Sequence, residues 1–445
     1  MTYDVVVVGL GPAGITTAIH LMNMGKSVLI LESNSSAGGC WSDTYINELY
    51  FSEHSPKVLF SFGSHYFKAL LSFLKVKPTF RPVYSKKTSV FLSACYRMFV
   101  SFNFMDYVRL FIYVFQFLFK MKTNSEDTVW DWMVNNHISP GARKTIEMVC
   151  IVINGTKPGY VKMNNLIGFV LNPSHLFGLI QLSNPKQWLN RAYHLLSKNT
   201  NISIRFNVKV DSIRTHHGIA RTLVTHTGEE INSNQIILCV PIRNLLEISS
   251  RSEKSIQRNW FSSLHEFQEY VEKSSYSGIG IQFHFDEKII SKPVWCWSCT
   301  SEWVIIVIDK GNTLNQISRD ASIRTLWSCV LCDTTAKNKQ GKTPNDYQHS
   351  SELALEVLRQ VSNQHGKPLY PKHTTLSNTV YRSNHGWESA SSSFTNTMGK
   401  LSYTGKIGNL HTVGPHTTDE IVVVDSAIKS SLEFCKNVLK IKPLF

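Results

Sequence analysis

Three glycines near the start of the chain, Gly9, Gly11 and Gly14, stand in the spacing G-x-G-x-x-G, and Glu32 follows 18 residues beyond the third. Together they could hold a dinucleotide. The first glycine permits a tight turn, the second lets backbone approach a pyrophosphate, and the third lets a helix pack closely on a strand. A carboxylate at that distance belongs on a ribose. A second glycine doublet, Gly38-Gly39, completes the spacing Glu-x5-Gly-Gly and is followed by Cys40 and Trp41. Farther on, Glu53 and His54 are types that transfer protons at a buried site. A solvated turn explains the sequence Glu53-His54-Ser55-Pro56 equally well.

The glycines need a particular setting. Val5 to Val8 are four β-branched residues in a row, which suits a strand buried on both faces of a parallel sheet. A helix over residues 12–24 would follow, with Ile15, Ala18, Ile19 and Met22 inward. Its free N–H groups and positive dipole end would face the phosphates. Gly25 ends it, and residues 27–32 read as the next strand. Strand, glycine turn, helix, strand and acid thus occur in the order that separates a dinucleotide site from an ordinary turn.

The Glu-x5-Gly-Gly pattern resembles the FAD-binding signature of the flavin amine oxidase superfamily, which includes monoamine and polyamine oxidases, protoporphyrinogen oxidase and phytoene desaturases. The chain is also similar to the divergent amine-oxidase-like proteins of large DNA viruses. Cys40 stands where the family has a basic residue. The resemblance implies FAD and an α/β fold: a Rossmann-like, discontinuous FAD-binding domain from residues 1–60, 200–250 and 400–445, with an α+β substrate domain from 61–199 and 251–399. Residues 201–242 resemble the returning part of the FAD domain, where Val210 matches a valine whose backbone meets the adenine end. Residues 408–439 resemble the closing motif: strand 409–413, a turn at Gly414, and helix 425–439 aimed at the flavin pyrimidine edge. Pro415 replaces the usual acid, and Asp425-Ser426-Ala427 replaces Glu-Gly-Ala. Residues 125–171 resemble the helical part of the substrate domain, with Trp130, Met133, Ile138 and Ile146 as core and a helix starting at Ser139-Pro140. The residues expected at FAD are Gly9, Gly11, Pro12, Ala13, Gly14, Glu32, Ser33, Gly38, Gly39, Cys40, Trp41, Val210, Gly414, Val424 and Ala427. No cysteine lies near the closing turn, since Cys435 is far down the last helix, so the FAD should be non-covalent.

Such a flavin carries the hydride chemistry, while the protein orients the substrate and excludes water. In several amine oxidases a lysine on a substrate-domain strand holds a water near flavin N5. Residues 277–287 match that strand, and Gly280 stands at the lysine position; Lys273 comes too early. Without another cation at the flavin, reaction with oxygen should be slow, and Gly280→Lys should speed it if the pocket hydrates the charge. Trp387, His416 and His54 are the side chains expected at the flavin face. Three activities stay open: oxidation of an amine or other small or lipophilic substrate, a desaturase-like or mutase-like reaction, or a non-catalytic flavoprotein.

The 445 residues suffice for two domains, and 42% hydrophobic with 18% charged residues is a globular composition. The first strand begins too early to leave room for a signal peptide, which argues for the cytoplasm, the host's if the source is viral. The net charge of +14 is uneven. Residues 57–122 hold eleven Lys or Arg against one acid, Asp106, and thirteen of the 24 phenylalanines. Such a stretch could lie on a membrane surface. The favoured reading is a helical domain whose aromatics form its core while basic residues face water. Its longest apolar run, residues 110–119, is too short to span a bilayer, which takes roughly 20 residues as a helix. No motif supports nucleic-acid binding. Cys296/Cys299 and Cys329/Cys332 form two C-x2-C pairs, but both sit in strand-like sequence. Residues i and i+3 of a strand point to opposite faces, which disfavours zinc.

Overall fold

The structure, a computed structural model, describes residues 2–55, 57–61, 63–83, 100–119, 121, 127–171, 179–276, 278–290, 300–377, 379–383, 386–389, 393–394, 399–418 and 424–445. Cys296, Cys299 and Pro56 lie outside the described residues. The fold is mixed α/β. The first strand, Thr2–Val8, is buried on both faces, as four consecutive valines require: Val5 and Val7 pack into one core cluster, Val6 and Val8 into another. It runs parallel to Val28–Leu31 on one side and to Glu230–Leu238 on the other. Ile202–Arg205 extends the parallel sheet beyond Val28–Leu31, and Leu410–Thr412 pairs in parallel with the second half of Glu230–Leu238. The first half of that strand pairs antiparallel with Ile219–Thr225, which in turn pairs with Val210–His216. One sheet therefore gathers strands from three distant stretches of sequence.

Helices cover both faces of the sheet. Pro12–Leu21 is buried along its whole length and meets the last helix, Val424–Asn437, where Ser431 Oγ donates to Ala13 O at 2.8 Å. The first helix continues as a 3-10 turn, Met22–Met24, and ends at Gly25 with φ 64°. Ile242–Arg251 and Leu264–Ser274 cover the other face through Ile242, Leu245, Ile248, Phe267 and Val271.

A second sheet is antiparallel, in the order Ile305–Asp309, Thr325–Leu331, Ile279–Phe285, His373–Leu376. Helix Ser350–His365 packs on one face through Leu353, Val357 and Val361. Cys329 joins that face's core while Cys332 joins the cluster on the other side, as the strand reading requires. The hairpin Asp43–Ile46/Tyr50–Glu53 docks on this sheet: Gln282 Nε2 donates to Glu53 O at 3.0 Å, and Thr375 Oγ1 donates to Phe51 O at 3.0 Å.

The helical part comprises Phe104–Leu118, Val129–Asn135, Pro140–Asn154 and Met163–Leu171. Met133, Ile138 and Ile146 are buried as expected, and Ser139 caps the helix that Pro140 begins. Two expectations fail here. Trp130 is half-exposed, because in the short helix Val129–Asn135 the inward phase falls on Val129, Trp132 and Met133 instead. The phenylalanines of Phe104–Leu118 do not all enter a core: Phe104, Phe111 and Phe115 face solvent. No helix among the described residues is long and apolar enough to cross a membrane.

Candidate active site

The parallel strands all end on one edge, where a cleft of about 400 Å³ opens. Val8, Leu31, Cys239 and Val413 mark the carboxyl ends of four of these strands in its wall. In an open α/β sheet this edge is where ligands bind. Gly9 has φ 96°, and a Cβ on it would stand 2.5 Å from Cys239 O, so only glycine turns the chain here. A Cβ on Gly14 would stand 2.0 Å from Gly9 O; this glycine lets the helix approach the strand and does not line the cleft. Gly11 differs. The nearest atom to its added Cβ is the Gly39 Cα at 3.9 Å, so the two glycine backbones face each other across a gap in the cleft wall. That bare groove, at the start of a helix with free N–H groups, fits a pyrophosphate.

Most of the residues predicted from sequence meet in this cleft. Gly9, Gly11, Pro12, Ala13, Glu32, Ser33, Gly39, Cys40, Trp41, Val210, Gly414, Val424 and Ala427 line it, as do His54 and His416. Trp41 is fixed from behind by Phe67 and Trp188, with ring centroids 5.0 and 6.0 Å away. Gly38 is set back: its N–H donates to Leu10 O at 2.8 Å, and a Cβ would meet Leu189 at 2.7 Å. Trp387 is not brought in. It packs in the core beside the second sheet, with Nε1 donating to Tyr347 O at 2.9 Å.

Glu32 is buried, and its carboxylate is already engaged. Oε2 accepts from Leu10 N–H at 2.7 Å, while Oε1 accepts from Asn34 N–H at 2.9 Å and Asn34 Nδ2 at 3.0 Å. It thus ties the glycine turn to the end of the second strand. His54 Nδ1 lies 3.0 Å from Ser389 Oγ and 3.2 Å from Thr379 Oγ1. Burial, with Lys57 adding to it, brings the His54 imidazole down to about 4, and burial brings His416 down to about 3. Both rings are neutral at neutral pH.

Lys57 and Lys310 were not anticipated. Lys57 is buried, lines the cleft beside Cys40, Trp41 and His54, and donates to Ser42 O at 3.0 Å. Burial holds its amine below the ordinary lysine value, opposed by Asp43 and Glu53. Behind it, the fully buried Lys310 Nζ sits 3.0 Å from Glu53 Oε1 and 3.3 Å from Oε2. The position that resemblance assigned to a lysine is closed: a Cβ on Gly280 would stand 2.0 Å from His54 O and 2.8 Å from Glu53 O. The segment that fills that space is the one that carries Lys57 into the cleft. Only its position three residues beyond His54 could have hinted at this.

Residues 4–67 match the family model described as FAD dependent oxidoreductase. Solved structures match over nearly the whole chain. Putrescine oxidase bound to putrescine is 14% identical, covering 99% of both chains with a TM-score of 0.62. Cyclohexylamine oxidase from Brevibacterium oxydans is 12% identical, covering 97% of both, with a TM-score of 0.61. An oxidoreductase from Methanosarcina mazei is 13% identical over 98% of this chain and 100% of its own, with a TM-score of 0.63. This is the flavin amine oxidase fold. No curated protein matches the chain in sequence. FAD is the cofactor that the family match assigns, and the Gly11–Gly39 groove is a cradle that suits it.

Within this flavin amine oxidase fold, Glu32→Ala is expected to do two things. It removes the acceptor of the buried Leu10 N–H, costing about 1–3 kcal/mol of apoprotein stability. It also weakens FAD by roughly ten- to a hundredfold if the carboxylate also meets the ribose. Urea midpoints of the apoprotein and FAD titration separate the two. A variant unchanged in both would remove Glu32 from the site.

Proposed function

We propose that the protein is an FAD-dependent oxidoreductase that oxidises an amine, or another small or lipophilic substrate, with FAD held non-covalently across residues 1–60, 200–250 and 400–445. Bound FAD supplies the hydride acceptor, at N5. Gly11, Gly39 and the start of helix Pro12–Leu21 hold its pyrophosphate, and Glu32 and Val210 serve the ribose and adenine end. Trp41 and Val58 offer apolar wall, and His54 and His416 offer hydrogen bonds without adding charge.

The observation that carries an oxidase reading is Lys57. The cation missing at Gly280 is supplied from a neighbouring segment, buried and on the cleft wall. A preorganised cation in a water-poor site stabilises negative charge that develops as oxygen is reduced. Anaerobic mixing with a panel of primary amines, followed by admission of oxygen, tests the reading. The flavin absorbance should bleach with amine and recover with oxygen. In Lys57→Met the bleaching should survive while recovery slows roughly tenfold or more. Acid precipitation should leave the yellow colour in the supernatant. If no amine, alcohol or lipophilic substrate bleaches the flavin, the oxidase reading fails and a mutase-like flavoenzyme or a non-catalytic flavoprotein is left.

A further inference from the structure

Among the described residues, the side chains of formal charge that line the cleft are Glu32, Lys57, Lys209 and Glu247. All but one are matched. Glu32 accepts from Leu10 N–H and from Asn34, and Lys209 Nζ lies 3.0 Å from Glu247 Oε1. Lys57 is the exception. Its Nζ donates to Ser42 O at 3.0 Å, a single bond from a group with three donors. The two carboxylates whose charge acts on it each have another lysine: Glu53 has Lys310 at 3.0 Å, and Asp43 has Lys186 at 3.9 Å. Three lysines thus share two acids, and Lys57 carries the surplus charge to the cleft wall. It is only 7% exposed, and a cation that deep is costly unless an anion meets it.

The phosphates of the cofactor have their own seat in the Gly11–Gly39 groove, at the start of helix Pro12–Leu21. Lys57 enters from the side of the second sheet. The segment that carries it is bound there, with Gln282 holding Glu53 O, and Thr379 and Ser389 holding His54. His54, Ser55, Val58 and Thr379 line the cleft from that same side, and none of them is an acid. A second ammonium, such as a diamine brings, would meet repulsion from Lys57. A carboxylate would meet a charge-assisted donor.

Building on the oxidase reading above, we infer that Lys57 binds a carboxylate of the substrate, so that the compound oxidised is an amine that also carries a carboxylate and not a diamine. The same ammonium is free to act on oxygen once the carboxylated product has left.

Titration of the FAD-loaded protein with butanoate and with butylamine, equal in chain length and opposite in charge, tests the subsite without turnover. Butanoate should perturb the visible flavin spectrum at far lower concentration than butylamine. Lys57→Met should weaken butanoate roughly ten- to a hundredfold, the loss of one charge-assisted pair, with FAD affinity unchanged. Lys57→Arg should recover part of that loss, and Lys186→Met, at a half-exposed lysine beside Asp43, should leave binding intact. Turnover is then compared in pairs that differ only by the carboxylate: leucine against isopentylamine, and phenylalanine against phenethylamine. Each amino acid should bleach the flavin with the lower KM. Lys57→Met should raise that KM towards the amine's while the limiting rate of bleaching survives. Failure of butanoate to bind, binding untouched by Lys57→Met, or amines that match their amino acids in KM overturns the inference and leaves the oxidase reading standing. So does a fall in FAD affinity in Lys57→Met, which would make the cofactor's phosphates the anion. Lys57-dependent butanoate binding with no compound bleaching the flavin upholds the anion subsite and refutes the oxidase reading instead.

Discussion

Gly280→Lys is expected to leave little folded protein, and not to place a cation beside the flavin. A Cβ at this position would stand 2.0 Å from His54 O and 2.8 Å from Glu53 O. Both are backbone atoms, and neither can swing aside. Glu53 O is held by Gln282 Nε2 from the same strand, and Gly280 O accepts from Ser377 N at 3.0 Å. All seven residues of Ile279–Phe285 are buried, so the strand has no room to retreat. Even Gly280→Ala must push the 53–57 segment, and with it one wall of the cleft, outward. The cost should exceed about 4 kcal/mol, in the tail reserved for overpacked buried sites. Soluble yield and urea midpoint measure it. A folded Gly280→Lys of ordinary stability would show that strand and segment are not packed as described. Gly280→Lys therefore cannot speed the reaction with oxygen as the sequence suggests: the position faces the backbone of Glu53 and His54, not the cleft.

Lys310→Met should be nearly as damaging for an electrostatic reason. Among the described residues, Lys310 Nζ bonds to buried partners, Glu53 at 3.0 Å and Gln181 Oε1 at 3.3 Å, and both charged residues are almost fully excluded from water. Removing the cation strands a buried carboxylate, a loss of about 3–5 kcal/mol. Removing both charges is a different matter, because a buried pair gains little over an uncharged replacement. Lys310→Met/Glu53→Gln should thus regain most of what the single change loses. Denaturant midpoints of the two single variants and the double one give the coupling. A single variant within about 1 kcal/mol of the parent would mean that water or another cation reaches Glu53.

The legible parts of the site were the local ones. Gly9, Gly11, Gly14 and Glu32 lie within one strand-turn-helix-strand unit, where spacing alone fixes geometry, and all but Gly14 reach the cleft. The Lys310–Glu53 pair spans 257 residues of sequence and gives no local signal. Trp387 misled because a tryptophan near the closing motif is read by type; in the fold its indole N–H is satisfied by Tyr347 O within the core. Trp130 and Trp132 are two apart in a seven-residue helix, too short a window to fix a phase. Helix Phe104–Leu118 deceived differently. With apolar residues on both sides it has no polar face to show which side is inward, so the sequence suggested a core for all of them.

The way the first sheet is assembled bears on how the protein is made. Its central strand, Thr2–Val8, finds one neighbour in Val28–Leu31 at once, but the other, Glu230–Leu238, only after some 200 residues more have been synthesised. Leu410–Thr412 and the helix that lines the cleft with Val424 and Ala427 come later still. Even Leu444 is used: its N–H donates to His20 Nε2 on the first helix at 3.1 Å. During synthesis, then, the glycine turn waits exposed until residues beyond 410 have emerged, and the cleft is not closed before them. Such long-range closure is slow and leaves apolar strands exposed to aggregation. Cells starved of the cofactor's vitamin precursor should accumulate this chain as insoluble material more than as soluble apoprotein.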